Sequence, residues 1–261
     1  MRNLKLSIFQ TALQWHQPEA NRAHFEELAL ALDEPTDVIV LPEMFSTGFT
    51  MDVENQAETM DGETVAWMRE MAARKGAVIC GSVVIEDEGD YYNRFIWMRA
   101  DGSLATYDKR HLFRMAKEDA HYSAGVRRVV VELEGWRICP QVCYDLRFPV
   151  WSRNRNDYDL LIYVANWPSA RRTSWQTLLR ARAMENLCYV AGVNRVGTDG
   201  NDIAYSGDSA VCDYVGRDLV SRADEPLVAT VSLDCEKLER FRKKFPAHLD
   251  ADDFTIHTDD E

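Results

Sequence analysis

Hydrophobic positions along the chain follow two spacings, one typical of β-strands and one typical of α-helices. Runs rich in apolar and β-branched residues predict strands. These runs cover residues 4–13, 38–41, 77–85, 95–98, 129–133, 137–143, 160–164, 189–193 and 227–233. Residues 38–41 and 160–164 are apolar at every position, which indicates strands that are covered on both faces, as in the middle of an α/β sheet.

Apolar residues that recur three and four positions apart predict four helices. The stripes are Phe25-Leu28-Ala29-Leu32, Val65-Met68-Ala72, Trp175-Leu178-Leu179-Ala183-Leu187 and Leu238-Phe241-Phe245. Asp61 is a candidate cap and Gly76 a candidate stop for the second helix, and Pro246 ends the fourth. Strand and helix patterns alternate without a linker or an internal repeat, so the sequence predicts one α/β domain over residues 1–261.

Length, composition and charge limit the class of protein. The chain has 261 residues, of which 46% are hydrophobic and 28% charged, and this suits a folded domain with a proper core. The net charge of −13 disfavours nucleic acid or an anionic membrane surface as the main partner. Residues 250–261 include six acidic side chains, and we expect a solvated acidic tail from about residue 247.

The chain shows no pattern of membrane insertion or secretion. Its longest apolar run, residues 160–165, is far shorter than the roughly 20 residues that span a bilayer. The N-terminal residues alternate apolar with polar, as a strand does, rather than forming a signal-peptide core. The six cysteines include no C-x-x-C pair, and most lie in strand-like runs. We therefore expect reduced thiols in a cytoplasmic protein.

Several common active-site motifs are absent from the sequence. It contains no Walker-type phosphate loop, no G-x-G-x-x-G, no G-x-S-x-G, no H-E-x-x-H and no Cys or His set at zinc spacing. The sequence therefore predicts neither a metal nor a cofactor. The chemistry that remains is that of thiols, carboxylates and amines.

Three reactive residues follow strand-like runs. Glu43 follows residues 38–41, Lys109 follows residues 104–108, and Cys143 ends the run 137–143. Each type of residue is, taken singly, more often structural than functional, but sites in α/β sheets gather at the carboxyl ends of strands. A cysteine attacks as thiolate, and its ordinary pKa is about 8.5. A carboxylate that takes the thiol proton and an ammonium that stabilises thiolate and oxyanion complete an activated nucleophile.

These residues stand in motifs that resemble the nitrilase, or carbon–nitrogen hydrolase, superfamily, whose members carry a Glu–Lys–Cys triad. The matching segments are Leu-Pro-Glu at 41–43, Lys-Arg-His-Leu at 109–112 and Cys-Tyr-Asp-Leu-Arg-Phe-Pro at 143–149, with further similarity at 166–168, 180–186, 194–197 and 205–209. The resemblance runs from residue 4 to about 246. It implies a four-layer α-β-β-α sandwich and a homodimer. Residues 111–115 and 143–154 look most like those of bacterial omega-amidases.

The resemblance also implies catalytic roles. Glu43 would act as base and then acid, Cys143 would form a thioester, and Lys109 with the backbone N–H of Tyr144 would hold the oxyanion. The family often places a second glutamate near the site. Glu118 is the best match, and Asp119 is the alternative.

Omega-amidase activity implies a small amide substrate with a distal carboxylate, such as 2-oxoglutaramate or 2-oxosuccinamate. A guanidinium binds a carboxylate with two hydrogen bonds, so arginines are the candidates. They are Arg114, Arg147, Arg153, Arg171 and Arg172. Phe113, Tyr144 and Trp167 are candidate aromatic walls, although Trp167 equally suits core packing and Arg147 equally suits an internal ion pair.

Three other hypotheses stay open at this point. One is a Cys–His thiol hydrolase with His111 as the base, which leaves Glu43 and Lys109 without roles. Another is a catalytically silent member of the superfamily that acts as an interaction scaffold. The third keeps the chemistry but changes the substrate to a nitrile, a carbamoylated amine or a deaminated peptide.

Overall fold

The computed structural model describes residues 2–257, which contain thirteen β-strands and six α-helices. The strands are β1 (Leu4–Gln10), β2 (Val38–Val40), β3 (Val78–Asp87), β4 (Asp90–Met98), β5 (Leu104–Asp108), β6 (Val131–Leu133), β7 (Trp136–Val142), β8 (Leu160–Ala165), β9 (Tyr189–Asn194), β10 (Val196–Thr198), β11 (Ala204–Cys212), β12 (Asp218–Ala223) and β13 (Leu227–Leu233). The helices are α1 (Pro18–Leu30), α2 (Val53–Gln56), α3 (Glu63–Lys75), α4 (Pro149–Ser152), α5 (Arg172–Asn186) and α6 (Cys235–Lys244).

The strands form two sheets. The first has the order β13-β1-β2-β3-β4-β5, and the second has the order β10-β11-β9-β8-β7-β6, with β12 paired to β11. The central strands β1-β2-β3 and β7-β8-β9 run parallel within their sheets. Strand β1 of the first sheet contacts β9 and β11 of the second.

Successive side chains along the strands of the first sheet point alternately into two different hydrophobic cores. Val38 and Val40 point into a core shared with the second sheet, whereas Ile39 and Leu41 face the core beneath α1 and α3. Helix α5 covers the other face of the second sheet through contacts with β9 and β11. The two cores confirm the predicted four-layer α-β-β-α sandwich, because each sheet carries helices on its outer face.

The strand directions place several loops at one edge of each sheet. Strand β5 runs in the same direction as β2 and β3, since β3-β4 and β4-β5 are both antiparallel pairs. The loops after β2 and β5 therefore leave the same edge of the first sheet. In the second sheet β7 and β8 are parallel, so the residues after Val142 and Ala165 also lie together.

The four predicted helical stripes correspond to α1, α3, α5 and α6. Gly76 ends α3 in the left-handed conformation, as predicted, with φ +61°. Asp61 does not cap α3, because the helix begins at Glu63 behind Gly62, and Glu58 Oε2 instead accepts a hydrogen bond of 2.7 Å from the backbone N–H of Thr64 in the first turn.

Two strands, β4 and β11, differ from the sequence prediction. The predicted strand 95–98 is the second half of the longer β4, which pairs with β3 along its whole length. Strand β11, which the apolar patterns did not predict, contains Gly207, a type of residue that is usual in turns. Gly207 adopts φ +68° at an irregularity in the pairing with β12, and the bulge explains why a glycine stands inside a strand.

Only part of the predicted acidic tail falls within the described residues. Asp252 and Asp253 are exposed, whereas Arg155 lies over the ring of Phe254 at 4.4 Å from its centroid. Residues 258–261, the end of the predicted tail, lie outside the described residues. Between residues 2 and 257, no helix combines the length and the apolar character needed to cross a bilayer.

The contact between β9 and α5 depends on Gly192. A Cβ atom at this position would lie 2.5 Å from Leu179 Cδ1 and 2.8 Å from Trp175 Cζ2. We expect Gly192→Ala to lower the free energy of unfolding by about 1–3 kcal/mol, because the helix must move away from the sheet. Denaturant unfolding measures this change.

The control is Leu179→Ala, which opens space at the same contact. Combined with Gly192→Ala it should destabilise the protein by less than the sum of the two single variants, because the added methyl group then meets a cavity. Strict additivity would contradict the proposed clash.

Candidate active site

The structure brings together four side chains that the sequence singled out. Glu43 follows β2, Lys109 follows β5, and Cys143 follows β7. Glu118 lies in a short 3-10 turn, Glu118–Ala120. Glu43, Lys109 and Glu118 are fully or almost fully buried, and Cys143 is 9% exposed. Glu43, Lys109 and Cys143 follow the carboxyl ends of β2, β5 and β7 and lie together between the two sheets. This is the expected place for a site in an α/β sheet.

Lys109 is the centre of a buried charge cluster. Its Nζ lies 2.9 Å from Glu43 Oε1 and 2.9 Å from each carboxylate oxygen of Glu118. The ring of Phe49 covers the ammonium at 5.2 Å. Burial lowers the pKa of Lys109, but the carboxylates of Glu118 and Glu43 outweigh it and hold this pKa well above its ordinary value. Lys109 is therefore an ammonium at neutral pH.

Glu118, rather than Asp119, is the second acid at this cluster. Glu118 Oε2 also accepts a hydrogen bond of 2.6 Å from the backbone N–H of Phe113. Burial raises the pKa of Glu118, while the neighbouring ammonium of Lys109 opposes this rise. Asp119 instead pairs with Arg114, at 2.6 Å, and Arg114 is largely exposed.

Two asparagines that the sequence analysis did not identify hold the carboxylates. Asn93 Nδ2 donates to Glu43 Oε1 at 2.8 Å and to Glu118 Oε1 at 3.2 Å. The backbone N–H of Asn166 donates to Glu43 Oε2 at 2.7 Å, and Asn166 Nδ2 donates to the backbone oxygen of Glu43 at 2.6 Å. Asn166 opens a segment that resembles the family, but Asn93 lies inside β4, where the sequence gives no chemical signal.

Cys143 occupies a sharp turn between β7 and the 3-10 turn Cys143–Arg147. Its φ of +45° is in the left-handed region, which is unfavourable for a residue with a side chain. Burial first, and then the charge of Glu43, raise the pKa of the Cys143 thiol well above its ordinary value, while Lys109 lowers it. The resting sulfur is therefore a protonated thiol, and a carboxylate that can accept its proton lies beside it.

A cavity of about 480 Å³ opens above these groups. Its size is that of a small-molecule site. Both Lys109 and Cys143 line it, as do five of the predicted substrate-binding residues: Phe113, Tyr144, Arg147, Trp167 and Arg171. Large side chains that the sequence analysis did not identify also line it: Trp15, Phe49, Met51, Ile203 and Tyr205. The first four of these lie in loops and no motif marks them, whereas Tyr205 lies in β11, within the segment 205–209 that resembles the family.

Two guanidinium groups in the cavity wall are held by aromatic rings. Arg147 lies 5.0 Å from the ring centroid of Trp167 and donates to Ser174 Oγ at 2.9 Å. Arg171 lies 5.1 Å from the ring centroid of Phe113. Among residues 2–257, neither arginine forms an ion pair with a carboxylate. Both cations are thus available to an anion in the cavity.

The three other candidate arginines do not line the cavity, and one of them, Arg153, donates to the backbone oxygen of Glu185 at 2.6 Å. Arg114 pairs with Asp119 at the surface, and Arg172 pairs with Asp208 at 2.8 Å and with Asp224 at 3.4 Å. Neither arginine lines the cavity. Their charges are satisfied by nearby acids on the outside of the cavity wall, which sequence alone does not reveal.

His111 is not placed as a base for Cys143. Its Nδ1 bonds to Asp145 Oδ1 at 2.8 Å, and its ring stacks on Phe148 with centroids 3.7 Å apart. It does not line the cavity. The structure therefore gives the Cys–His alternative no support. Within the described part of the chain, no group of three or more His, Cys, Asp or Glu side chains is arranged to hold a metal ion.

Comparison with known proteins gives a consistent result. Residues 5–243 match the family model described as carbon-nitrogen hydrolase. The chain is 49% identical over 258 residues to Omega-amidase YafV of Yersinia enterocolitica, which covers 98% of this chain and 100% of that protein. It is 30% identical over 250 residues to the 2-oxoglutaramate amidase of Bacillus subtilis, covering 94% of this chain and 96% of that one.

A solved structure shows the same fold. The crystal structure of a CN-hydrolase superfamily protein from Xanthomonas campestris, which has an arsenic adduct in its active site, superposes with a TM-score of 0.97. It is 49% identical to this chain and covers 98% of it, and all of that protein is matched. The predicted nitrilase-type architecture is thereby confirmed.

The charge cluster predicts a strong effect of removing its cation. Lys109→Met leaves two buried carboxylates without their shared ammonium, and we expect the free energy of unfolding to fall by about 3–5 kcal/mol. Denaturant unfolding at neutral pH measures the loss.

The double variant Lys109→Met, Glu118→Gln provides the control. It leaves one buried carboxylate instead of two, so it should be more stable than Lys109→Met alone. Wild-type stability of Lys109→Met would show that the ion pairs do not hold this part of the structure together.

Proposed function

The chain belongs to the carbon–nitrogen hydrolase family, and on this premise we propose that it is an omega-amidase. It hydrolyses the terminal amide of small 2-oxo acid monoamides, such as 2-oxoglutaramate and 2-oxosuccinamate, to the dicarboxylate and ammonia. One observation carries the proposal: the Cys143 thiol, the Glu43 carboxylate and the Lys109 ammonium meet at one cavity that also holds two arginines without carboxylate partners. The names of the two relatives above support the choice of substrate.

Glu43 begins the reaction by taking the proton of the Cys143 thiol. Its Oε1 already accepts hydrogen bonds from Lys109 Nζ and Asn93 Nδ2, whereas Oε2 accepts one from the backbone N–H of Asn166. Oε2 therefore has the free lone pair and receives the proton. Since the thiol is protonated at rest, proton transfer accompanies the attack of sulfur on the amide carbon.

The attack converts the amide oxygen into an oxyanion. Lys109 and the backbone N–H of Tyr144 hold this charge, and donors of this kind contribute about 2.7–4 kcal/mol each in other enzymes. Glu118 keeps the ammonium in place, since it binds Lys109 through both carboxylate oxygens. The C–N bond then breaks as Glu43 returns the proton to the nitrogen, which leaves as ammonia.

A thioester between Cys143 and the acyl group remains. Glu43, again ionised, takes a proton from water, and the hydroxide formed attacks the thioester carbon. The C–S bond breaks, the sulfur recovers the proton from Glu43, and the product is released as a carboxylic acid that loses its proton to solvent. One carboxylate thus serves both halves of the reaction.

Arg147 and Arg171 bind the distal carboxylate of the substrate in this proposal. Each guanidinium lies over an aromatic ring that restrains it, so little conformational freedom is lost when a carboxylate binds. Tyr144 and Phe113, whose ring centroids are 5.0 Å apart, form an aromatic wall beside Arg171. Trp167 serves both as a wall and as core, because it contacts Trp175 beneath the cavity.

We also propose that residues 1–261 form a single domain with an acidic C-terminal tail, and that the protein is a cytoplasmic homodimer. Cys80, Cys139, Cys143, Cys188 and Cys212 are free and buried, which suits a reducing compartment. Exposed apolar side chains at Val150, Met184 and Phe245 offer surface for a second copy.

The reaction is tested by replacing the nucleophile and the base. Cys143→Ala should abolish ammonia release from 2-oxoglutaramate while the melting temperature stays close to that of the wild type. Glu43→Gln should lower kcat by about 10²–10⁴-fold, because the same carboxylate acts as base and acid. A coupled ammonia assay measures both.

Glu70→Gln is the control, since Glu70 is exposed on α3, and it should retain normal turnover. Normal turnover by Cys143→Ala would exclude the thioester route. A wild-type protein that releases ammonia from no member of a panel of amides, nitriles and carbamoylated amines would favour the scaffold alternative.

Carboxylate binding is tested by removing each cation. Arg147→Met and Arg171→Met should lower kcat/KM for 2-oxoglutaramate by about 10–150-fold, the value of a hydrogen bond to a charged group. Pentanamide has the same chain length but no carboxylate, so its turnover should change little. Arg172→Met, outside the cavity, is the control. If both cavity variants bind 2-oxoglutaramate as the wild type does, the carboxylate lies elsewhere.

A further inference from the structure

We propose that Asp145 is a positioning residue that fixes Lys109 relative to Cys143. The inference rests on the proposed function, in which these two residues are reacting groups. Asp145 does not line the cavity, and its side chain is fully buried. It acts through the residues on either side of Lys109 and through the strand that ends at Cys143.

The carboxylate of Asp145 accepts four hydrogen bonds from two separate segments. Oδ2 accepts from the backbone N–H of Val142 at 3.0 Å and from the hydroxyl of Tyr107 at 2.7 Å. Oδ1 accepts from the backbone N–H of His111 at 2.9 Å and bonds to its Nδ1 at 2.8 Å. Tyr107 precedes Lys109 by two residues and His111 follows it by two. One carboxylate therefore ties the end of β5 in the first sheet to the end of β7 in the second.

Three of these four groups must act as hydrogen-bond donors to Asp145. The backbone N–H groups of Val142 and His111 can only donate. The oxygen of Tyr107 already accepts from Trp151 Nε1 at 3.0 Å and from the backbone N–H of Arg110 at 3.3 Å, so its own proton goes to Asp145. If an asparagine replaced Asp145, its NH₂ group would face at least one of these three donors, whichever way the amide is turned. The site thus requires a group that accepts at both oxygens, which is a carboxylate.

The ring of His111 is held so that Nδ1 faces Asp145. It stacks on Phe148 at an interplanar angle of 3°, and the ring of Trp151 meets it edge-on at 6.2 Å. His111 thus has a role in the lysine motif that does not involve proton transfer to Cys143. Asp145, in the motif that begins at Cys143, has the same kind of role: it positions Lys109 and Cys143 and takes no part in proton transfer.

Asp159 offers a matched comparison within the same sheet. It is also a buried carboxylate with several donors: it accepts from the backbone N–H and the guanidinium of Arg137 and from Arg242 at 2.6 Å. It lies just before β8, whereas the cavity lies beyond the other end of this strand, at Asn166. Loss of its charge should destabilise the protein without moving Lys109 or Cys143.

The test compares Asp145→Asn with Asp159→Asn. We expect Asp145→Asn to lower kcat for 2-oxoglutaramate by about 10²-fold with little change in KM, because a shift of about 1 Å in a reacting group has this effect. The rate at which iodoacetamide alkylates Cys143, followed by peptide mass spectrometry, should fall at least about tenfold for the same reason. Asp159→Asn should lower the melting temperature but keep both rates near those of the wild type.

A second pair of variants keeps the test valid if Asp145→Asn does not fold. His111→Asn retains an N–H donor near the position of Nδ1 and should keep most of the activity, whereas His111→Leu loses the donor and should lower kcat with little change in KM. Equal kcat values for these two variants would overturn the proposal. So would wild-type kcat and alkylation in Asp145→Asn, or equal losses of activity in Asp145→Asn and Asp159→Asn.

The alkylation assay separates this proposal from the proposed function. It needs no amide substrate, so a difference between Asp145→Asn and Asp159→Asn supports the positioning role even if 2-oxoglutaramate is not hydrolysed. Failure of the wild type to release ammonia from that substrate bears on the proposed function alone.

Discussion

A buried ammonium needs an opposite charge, and in this protein Lys109 has two. Taking one ammonium and two carboxylates out of water is costly unless each finds hydrogen-bond partners. Glu43 and Glu118 supply the charge, and Asn93 donates to both carboxylates. Glu43 follows β2, whereas Lys109 and Glu118 both lie in the segment after β5, so their pairing requires that the ends of these two strands lie close together at one edge of the first sheet.

The cluster also decides the protonation states that the chemistry uses. Lys109 remains charged because its two partners outweigh its burial, and Cys143 remains a thiol because burial and the charge of Glu43 outweigh the lysine. In the proposed mechanism, the thiol of Cys143 therefore loses its proton only as the sulfur attacks. The sharp backbone turn at Cys143, with its positive φ, brings the sulfur to the cavity without lengthening the strand.

The sequence identified Glu43, Lys109 and Cys143, the three groups of the proposed mechanism, because each follows a strand-like run and stands in a recognisable motif. It did not predict Asn93 or the role of Asp145, since their functions depend on which donors and acceptors surround them after folding. Arg114 and Arg172, predicted as substrate-binding residues, pair with acids and do not line the cavity, because charge along a chain does not reveal which acid will pair with it in space. Strand β11 was missed because Gly207, usually a turn residue, forms a bulge within it.

The two carboxylates beside Lys109 have a consequence for the end of the catalytic cycle. The substrate presents an uncharged amide to this negatively charged floor, but hydrolysis turns that amide into a carboxylate next to Glu43 and Glu118. Like charges at such short range in a poorly hydrated space repel strongly. In the proposed mechanism, electrostatic repulsion thus favours departure of the dianionic product and weakens its competition with incoming substrate.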